Sequence, residues 1–301
     1  MNCRIIGLGE VLWDLLPSGP QLGGAPANFA GHARALGADA TIITRIGSDA
    51  LGRDILDRFA QAGLPTDMVQ VDATAPTGTV TVALSGDGLP HYTIHENVAW
   101  DRLTATEAAL EAMRGAAAVC FGTLAQRSAT ARAAIQELVA ATPPDALRVL
   151  DINLRQHFYS REIIESSLRL ANVLKLNDGE LPVLAEMFGL KGAPPAQIKA
   201  LAEKFDLRLV ALTRGAVGSW LWQPESGGWS ECAPAPVEVA DTVGAGDAFT
   251  ATLVMGLLQK MPLAEINALA NEVARYVCSC PGATPPLPET FHQRLRVASP
   301  R

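Results

Sequence analysis

The 301-residue sequence is poor in cysteine and contains no cluster of lysine or arginine. Its five cysteines are odd in number and show no paired C-x-x-C spacing, so neither a disulfide framework nor a zinc site is predicted. The net charge of −7 argues against a surface for nucleic acid or anionic membrane. The uncharged runs are too short for a membrane span or are broken by glycine and proline. No signal-peptide pattern precedes the first strand-like run, so we expect a cytoplasmic protein with reduced thiols and no nucleic-acid or membrane partner.

Two common phosphate-binding motifs are also missing. Gly7-Leu8-Gly9 follows a strand-like run, but Leu12 stands where the third glycine of a dinucleotide fingerprint belongs. The lysine-containing Walker loop is absent as well. These absences argue against an NAD-dependent dehydrogenase and against a P-loop enzyme.

What is present is a repeated rhythm of strand, glycine-rich or polar turn, and helix. This rhythm predicts an α/β fold with a central, mostly parallel sheet flanked by helices. Two segments, at about 11–22 and 77–98, read instead as hairpins that pair with each other as a small separate sheet. We therefore predict one domain over residues 1–301 with this small sheet inserted as a candidate lid. The last predicted helix spans about 263–277 and is followed by a proline-rich tail.

Polar side chains follow several of the predicted strands at the point where each strand ends. Carboxyl ends of parallel strands meet at one edge of a sheet, so these groups should line a common site. Carboxylate and amide oxygens suit Mg²⁺, often through its waters, and arginine can neutralise phosphate. The same residue types are also ordinary in turns and helix caps. The groups are Asp151, Asn153, Arg155, Asn177, Glu180 and Arg214.

The stretch Asp241-Thr242-Val243-Gly244-Ala245-Gly246-Asp247 precedes an apolar run at helical spacing. We expect a buried helix from about Gly244, whose unpaired first-turn N–H groups and dipole favour an anion. The two glycines let a phosphate approach the backbone closely. Asp247 would repel that phosphate unless it accepts a proton from the attacking group; alternatively, it complements the helix dipole. Asn28 occupies the first turn of another predicted helix, where it can face a ligand or satisfy local backbone groups.

Three stretches resemble the signatures of the ribokinase/phosphofructokinase-B family of sugar kinases. They are residues 23–30 (Gly-Gly-Ala-Pro-Ala-Asn-Phe-Ala), 45–52 (Arg-Ile-Gly-Ser-Asp-Ala-Leu-Gly) and 241–249. The resemblance spans nearly the whole chain, and the residues of the motifs are most similar to those of bacterial fructokinases. It implies a three-layer ribokinase-like domain with a β-sheet lid, and the cofactors ATP and Mg²⁺. It also implies a small-molecule sugar substrate, for which D-fructose is the first expectation.

The same resemblance implies roles for individual residues. Asp247 resembles the catalytic base, and the N–H groups of Gly244, Ala245 and Gly246 resemble the anion hole. From its own chemistry, Arg155 is expected to offset phosphate charge beside them. Sugar hydroxyls would be held by Asp14, Gly24, Asn28 and Asp247. The nucleotide side, with Asn271 near the adenine, would comprise Asn177, Thr213, Gly215, Gly218, Gly246 and Asn271. Metal positions would be Glu180 and Asn177 for Mg²⁺ through water, and Asp241 and Val243, with the 278–283 loop, for a monovalent cation such as K⁺.

Several alternatives stay open at this point. Within the kinase class, 2-keto-3-deoxygluconate, ribose and a nucleoside are rival substrates. From another class, the chain could be a non-catalytic sugar-sensing binding protein, although the intact Asp247 and its neighbouring glycines argue against this. Pairing of the lid strands between two chains would give a homodimer.

Overall fold

The computed structural model describes residues 4–17, 19–84 and 90–297. Within those ranges thirteen strands form two sheets. The strands are β1 (Arg4–Leu8), β2 (Leu12–Leu16), β3 (Gly19–Gly23), β4 (Asp39–Gly47), β5 (Val69–Asp72), β6 (Gly78–Leu84), β7 (Pro90–Ile94), β8 (Ala116–Phe121), β9 (Leu147–Asp151), β10 (Val173–Asn177), β11 (Leu209–Thr213), β12 (Ser219–Gln223) and β13 (Gly228–Cys232). The nine-stranded sheet has the order β13-β12-β11-β10-β9-β8-β1-β4-β5, and the four-stranded sheet has the order β3-β2-β6-β7.

Helices cover both faces of the nine-stranded sheet. In chain order they are α1 (Ala25–Ala35), α2 (Ala50–Gln61), α3 (Glu107–Arg114), α4 (Ala129–Ala140), α5 (Arg161–Leu170), α6 (Glu180–Phe188), α7 (Pro194–Phe205), α8 (Ala245–Leu258), α9 (Leu263–Cys278) and α10 (Glu289–Val297). None of them is long and apolar enough to cross a membrane, as far as the described residues extend. Helices α3 to α7 contribute to one hydrophobic core, and α1, α2, α8, α9 and α10 contribute to the other.

Alternation along the buried strands produces these two cores. Ile6 and Leu8 of β1 belong to the core with α3 to α7, whereas Ile5, the residue before Ile6, belongs to the opposite core. Successive side chains of a strand point to opposite faces, so an apolar strand buried on both sides needs helices on both sides. The strands from β11 to β5 in this sheet pair in parallel, and only β12 and β13 pair antiparallel to their neighbours. The predicted fold class is therefore confirmed.

The small sheet consists of strands from the two predicted hairpin segments, 11–22 and 77–98, that do not follow the strand-turn-helix pattern. β2 and β3 form one antiparallel hairpin, and β6 and β7 pair antiparallel as well. The two halves join where β2 runs parallel to β6. Residues 85–89, within the predicted segment 77–98, lie outside the described residues.

The prediction for the carboxyl-terminal part was wrong in one respect. The proline-rich tail leads into a further helix, α10 (Glu289–Val297), whose Phe291 and Leu295 are buried in the core with α8 and α9. Two apolar residues four positions apart form the buried side of this short helix. The three prolines just before it are typical of a loop, which is why the sequence did not predict the helix. Strand β5, a four-residue edge strand, was also missed.

A buried ion pair fixes the chain where it returns from the small sheet. The Asp101 carboxylate accepts from the Arg127 guanidinium at 2.8 Å, and both side chains are less than a tenth exposed. Arg127 also donates to the carbonyl of His95 and stacks over the ring of Trp100. Asp101 in turn accepts from the N–H of Val98. The pair therefore ties the segment after β7 to the start of α4.

Replacing one partner of this pair should destabilise the protein strongly. Asp101→Ala leaves the Arg127 charge buried without a counter-charge, so we expect the free energy of unfolding to fall by about 3–5 kcal/mol. Urea denaturation of both proteins gives this difference. The double variant Asp101→Ala with Arg127→Met serves as the control and should recover part of the loss. A single variant within about 0.5 kcal/mol of wild type would contradict the expectation.

Candidate active site

A cavity of about 1430 Å³ lies between the small sheet and the carboxyl ends of β9, β10 and β11. Its wall includes nearly all of the site residues predicted from the sequence, although they come from positions far apart in the chain. They are Asp14, Gly24, Asn28, Asn153, Arg155, Asn177, Thr213, Gly215, Gly218, Asp241, Val243, Gly244, Ala245, Gly246, Asp247 and Asn271. Three predicted residues, Asp151, Glu180 and Arg214, are not part of this wall. Of the six groups expected at one edge of the sheet from the strand ends, Asn153, Arg155 and Asn177 therefore line the cavity and the other three do not.

Helix α8 begins at this cavity. Its N-cap, Gly244, has φ 79°, and a Cβ there would lie 1.9 Å from the carbonyl oxygen of Ala283. Only glycine fits this left-handed turn. The N–H of Ala245 makes only a long contact of 3.4 Å with the Thr242 carbonyl, and no backbone acceptor for the N–H of Gly246 is found among the described residues. The turn thus leaves N–H groups available at the positive end of a buried helix.

Asp247 lies in the first turn of α8, beside these N–H groups. One of its carboxylate oxygens accepts from the side-chain amide of Asn28 at 2.8 Å. Burial raises the pKa of Asp247 to about 7, and the negative charge of Asp151 adds to this shift. The hydrogen bond from Asn28 and the charge of Lys175 oppose it. A carboxyl group with this pKa can accept a proton near neutral pH.

Lys175 is a functional candidate that the sequence reasoning missed. Its ammonium is buried and lies 3.0 Å from the Asp151 carboxylate. A Cβ on Gly246 would be 3.1 Å from Nζ, so the ammonium sits directly beneath the α8 turn. Burial alone would lower the pKa of Lys175, but the surrounding carboxylates, including Asp247, hold it above its usual value. The available signal was a lysine inside an otherwise apolar strand, Val173–Asn177.

Asp151 has a different position from the one predicted. It is 3% exposed and lies behind the cavity wall, where it pairs with Lys175 instead of facing a ligand. Its second oxygen is 3.0 Å from the hydroxyl of Thr250, which also lies 2.9 Å from the carbonyl of Gly246. Asp151 therefore supports the α8 turn from below through Lys175 and Thr250.

Glu10 is a second acid of the cavity that the sequence reasoning did not single out. It follows β1, is 2% exposed and lines the cavity. One of its carboxylate oxygens has no hydrogen-bond partner among the described residues. Burial raises the pKa of Glu10 to about 7. A charged residue two positions after a buried strand was the sequence signal.

The predicted magnesium residues form a turn. The Glu180 carboxylate accepts from the N–H groups of Leu154 and Asn177, each at 2.8 Å. The Asn177 side-chain oxygen accepts from the N–H groups of Gly179 and Glu180. No group of three His, Cys, Asp or Glu side chains with metal-site geometry occurs in the described parts of the chain. Both carboxylate oxygens of Glu180 and the side-chain oxygen of Asn177 are thus already engaged by backbone N–H groups, so contact with Mg²⁺ through water suits them better than direct coordination.

The remaining predicted residues are placed as follows. Asn271 lines the cavity, but its amide donates to the Ser219 hydroxyl and to the Asn267 carbonyl. Arg214 instead pairs with Glu231 at 3.0 Å. Asp241 accepts from the N–H groups of Val243 and Gly282, which joins the segment before α8 to the loop after α9.

Comparisons with known proteins identify the family to which the chain belongs. The family model described as pfkB family carbohydrate kinase matches residues 20–290. The chain belongs to the pfkB family of carbohydrate kinases. It is therefore a sugar kinase, as the resemblance in its motifs predicted.

Several sugar-kinase relatives align with almost the whole chain. A fructokinase from Klebsiella pneumoniae is 29% identical over 288 residues, which are 91% of each protein. Fructokinase-2 of Solanum lycopersicum is 28% identical, with 94% of this chain covering 93% of that protein. An uncharacterized sugar kinase from Pyrococcus horikoshii in complex with ATP superposes with a TM-score of 0.80 at 26% identity, over 93% and 94% of the chains. Fructokinase with bound ATP from Xylella fastidiosa shares the fold, with a TM-score of 0.85, 23% identity and 98% coverage of both chains.

The contact between Asn28 and Asp247 gives a prediction about proton affinity. Asn28→Ala removes a donor that stabilises the ionised carboxylate, so the pKa of Asp247 should rise above about 7. A ¹³C NMR titration of the carboxyl carbons measures this pKa, and the signal that disappears in Asp247→Asn identifies the residue. An unchanged or lower pKa in Asn28→Ala would contradict the assignment of this hydrogen bond.

Proposed function

We propose that the chain transfers the γ-phosphoryl group of ATP to a hydroxyl of D-fructose. The fructokinases among its relatives support the sugar, and the ATP complex of the Pyrococcus horikoshii sugar kinase supports the nucleotide. The observation that supports the mechanism most directly is the placement of Asp247. Its carboxyl group shares one cavity wall with the N–H groups of the α8 turn and with the polar residues Asp14 and Asn28.

In this mechanism Asp247 is the general base. Asn28 holds the carboxylate in one orientation, so its free oxygen can accept the proton of a sugar hydroxyl as that oxygen attacks phosphorus. The N–H groups of Gly244, Ala245 and Gly246 would stabilise the charge on the transferring phosphoryl group. The Lys175 ammonium beneath them adds positive charge where the phosphoryl group approaches, and Arg155 does so from the cavity wall. Catalysis then depends on positioning and electrostatics, because phosphoryl transfer needs little covalent chemistry from the protein.

The metal and nucleotide residues complete the proposal. Asn177 and Glu180 would hold Mg²⁺ through water, and Mg²⁺ would neutralise phosphate charge when bound. The turn after β11, with Thr213, Gly215 and Gly218, would face the nucleotide. A monovalent cation such as K⁺ near Asp241 and Val243 stays a prediction, as do Asn271 beside the adenine and a homodimer through the small sheet.

The chemistry of the sugar end favours a neutral sugar. Asp14 and Glu10 line it, and their carboxyl groups suit hydroxyl donors better than a second carboxylate. Arg155 is the group that would instead favour an acid sugar such as 2-keto-3-deoxygluconate. The small sheet would cover the bound sugar and exclude water, the competing nucleophile. A contact from Gln156 to the carbonyl of Tyr92 already joins that sheet to the central domain.

A substrate panel tests this proposal. ADP release with ATP and Mg²⁺ should be fast with fructose and slow with ribose, 2-keto-3-deoxygluconate, adenosine and glucose. Asp247→Asn should lower kcat/KM for fructose by about 10²–10⁴-fold, because it removes the base without changing the size of the side chain. Asp206→Asn, an exposed acid at the end of α7 whose left-handed φ of 52° asparagine tolerates, is the matched control.

The outcomes of the panel separate the parts of the proposal. Turnover on another sugar instead of fructose would show that the substrate assignment is wrong, while the mechanism would stand. Full activity of Asp247→Asn would show that Asp247 is not the general base. A sugar that raises thermal stability without being phosphorylated would favour the binding-protein alternative.

The raised pKa of Asp247 also predicts a pH dependence. The base must be ionised to accept a proton, so kcat/KM should rise with pH through about 7 and fall about tenfold per unit below that value. Steady-state rates between pH 5 and 9, with a coupling system verified at each pH, measure this profile. The acidic limb should disappear in the residual activity of Asp247→Asn. A rate that is flat between pH 5 and 8 would exclude a base with this pKa.

A further inference from the structure

Helix α1 contacts the α8 turn region at two points. Asn28 in its first turn donates to the Asp247 carboxylate at 2.8 Å. His32, four residues later and therefore on the same face, has its Nε2 atom 2.9 Å from the carbonyl oxygen of Ala283. Helix α1 thus contacts the proposed base through Asn28 and the loop after α9 through His32.

The Ala283 carbonyl is also the group that presses against Gly244. A Cβ added to Gly244 would lie 1.9 Å from this oxygen and 2.6 Å from its carbon. The peptide group of Ala283 is therefore stacked on the backbone of the turn that opens α8. Any movement of this carbonyl must move the Gly244 turn or open a gap behind it.

His32 is the polar group that fixes the carbonyl. Its side chain is 1% exposed, and the Ala283 oxygen is its one hydrogen-bond partner among the described residues. A carbonyl oxygen only accepts, so Nε2 must bear the proton and donate. Loss of this donor would leave a carbonyl oxygen buried with one fewer partner, beside the close backbone contact with Gly244.

We propose that His32 is a positioning residue for phosphoryl transfer. Its Nε2–H holds the Ala283 carbonyl against Gly244 and thereby keeps the N–H groups at residues 244–246 aimed into the cavity. This inference rests on the proposed role of those N–H groups as the anion hole. It differs from a purely structural role, because a core histidine would affect stability and leave the rate of the bound complex unchanged.

Three variants test the proposal. His32→Leu removes the donor at similar volume, and His32→Gln restores an N–H donor close to the position of Nε2. Ile55→Val, in the same hydrophobic core on α2, is the control for a small loss of packing far from the loop. Each protein is assayed for kcat and KM with sugar and ATP. Hydrogen exchange of the peptides covering 241–249 and 278–285 is followed by mass spectrometry, and thermal unfolding is recorded.

The expected pattern is specific. His32→Leu should lower kcat by about 10- to 100-fold with little change in KM for the sugar, because misplacement of the N–H groups affects the transition state. It should also speed exchange in both peptides. His32→Gln should recover most of both effects, and Ile55→Val should show neither.

Two results would overturn the proposal. One is a His32→Leu protein that loses thermal stability only, with kcat and exchange at 241–249 unchanged. The other is a His32→Gln protein as impaired as His32→Leu, which would show that the hydrogen bond is not the operative feature. If the wild-type protein phosphorylates no sugar, the proposed function fails by itself, and the exchange comparison still decides whether His32 positions the turn.

Discussion

Burial of opposite charges around the start of α8 is the constraint on which the rest of the site depends. The carboxyl groups of Asp247 and Asp151 face the positive Lys175 and the positive amino end of the helix; Asp151 and Lys175 are buried, and Asp247 is partly buried at the cavity wall. Charges in such surroundings interact strongly, so each of them alters the proton affinity of its neighbours. Lys175 pairs directly with Asp151, which leaves Asp247 only partly compensated. Burial of this carboxyl group, with the nearby charge of Asp151 adding to the effect, raises the pKa of Asp247 to about 7.

The fold makes this arrangement possible through its two-sided core. Strand β10 delivers Lys175 from the sheet, α8 supplies the turn above it, and β9 supplies Asp151 beside it. β9 and β10 are anchored by apolar side chains in both cores and α8 is anchored in one of them, so the charged groups cannot move apart to reach water. The small sheet contributes none of these charges. It faces them from the other side of the cavity through residues such as Asp14 and Ile94.

The sequence was informative where function depends on neighbours in the chain. The segment 241–247 contains its turn, its helix start and its acid within seven residues, so local rules identified them together. The alternating elements likewise predicted the layers of the fold. Lys175, Glu10 and His32 were not found, because their significance comes from partners far away in sequence: Asp151 lies 24 residues from Lys175, and Ala283 lies 251 residues from His32. No local pattern distinguishes a lysine in a strand that reaches a buried acid from one that turns outward.

The two sides of the cavity differ in how freely they can change. On the side of the α8 turn, Gly244 has no space for even a methyl group, and the same turn depends on backbone contacts with Ala283. On the side of the small sheet, the contacts are side chains such as Asp14 on β2, whose carboxylate lies over Gly23 of the paired strand. Exchanging such a side chain leaves the central sheet and the α8 turn intact. A family built in this way can keep one phosphoryl-transfer apparatus while its members come to prefer different sugars, which is why the identity of the sugar has to be argued from the small-sheet side of the cavity.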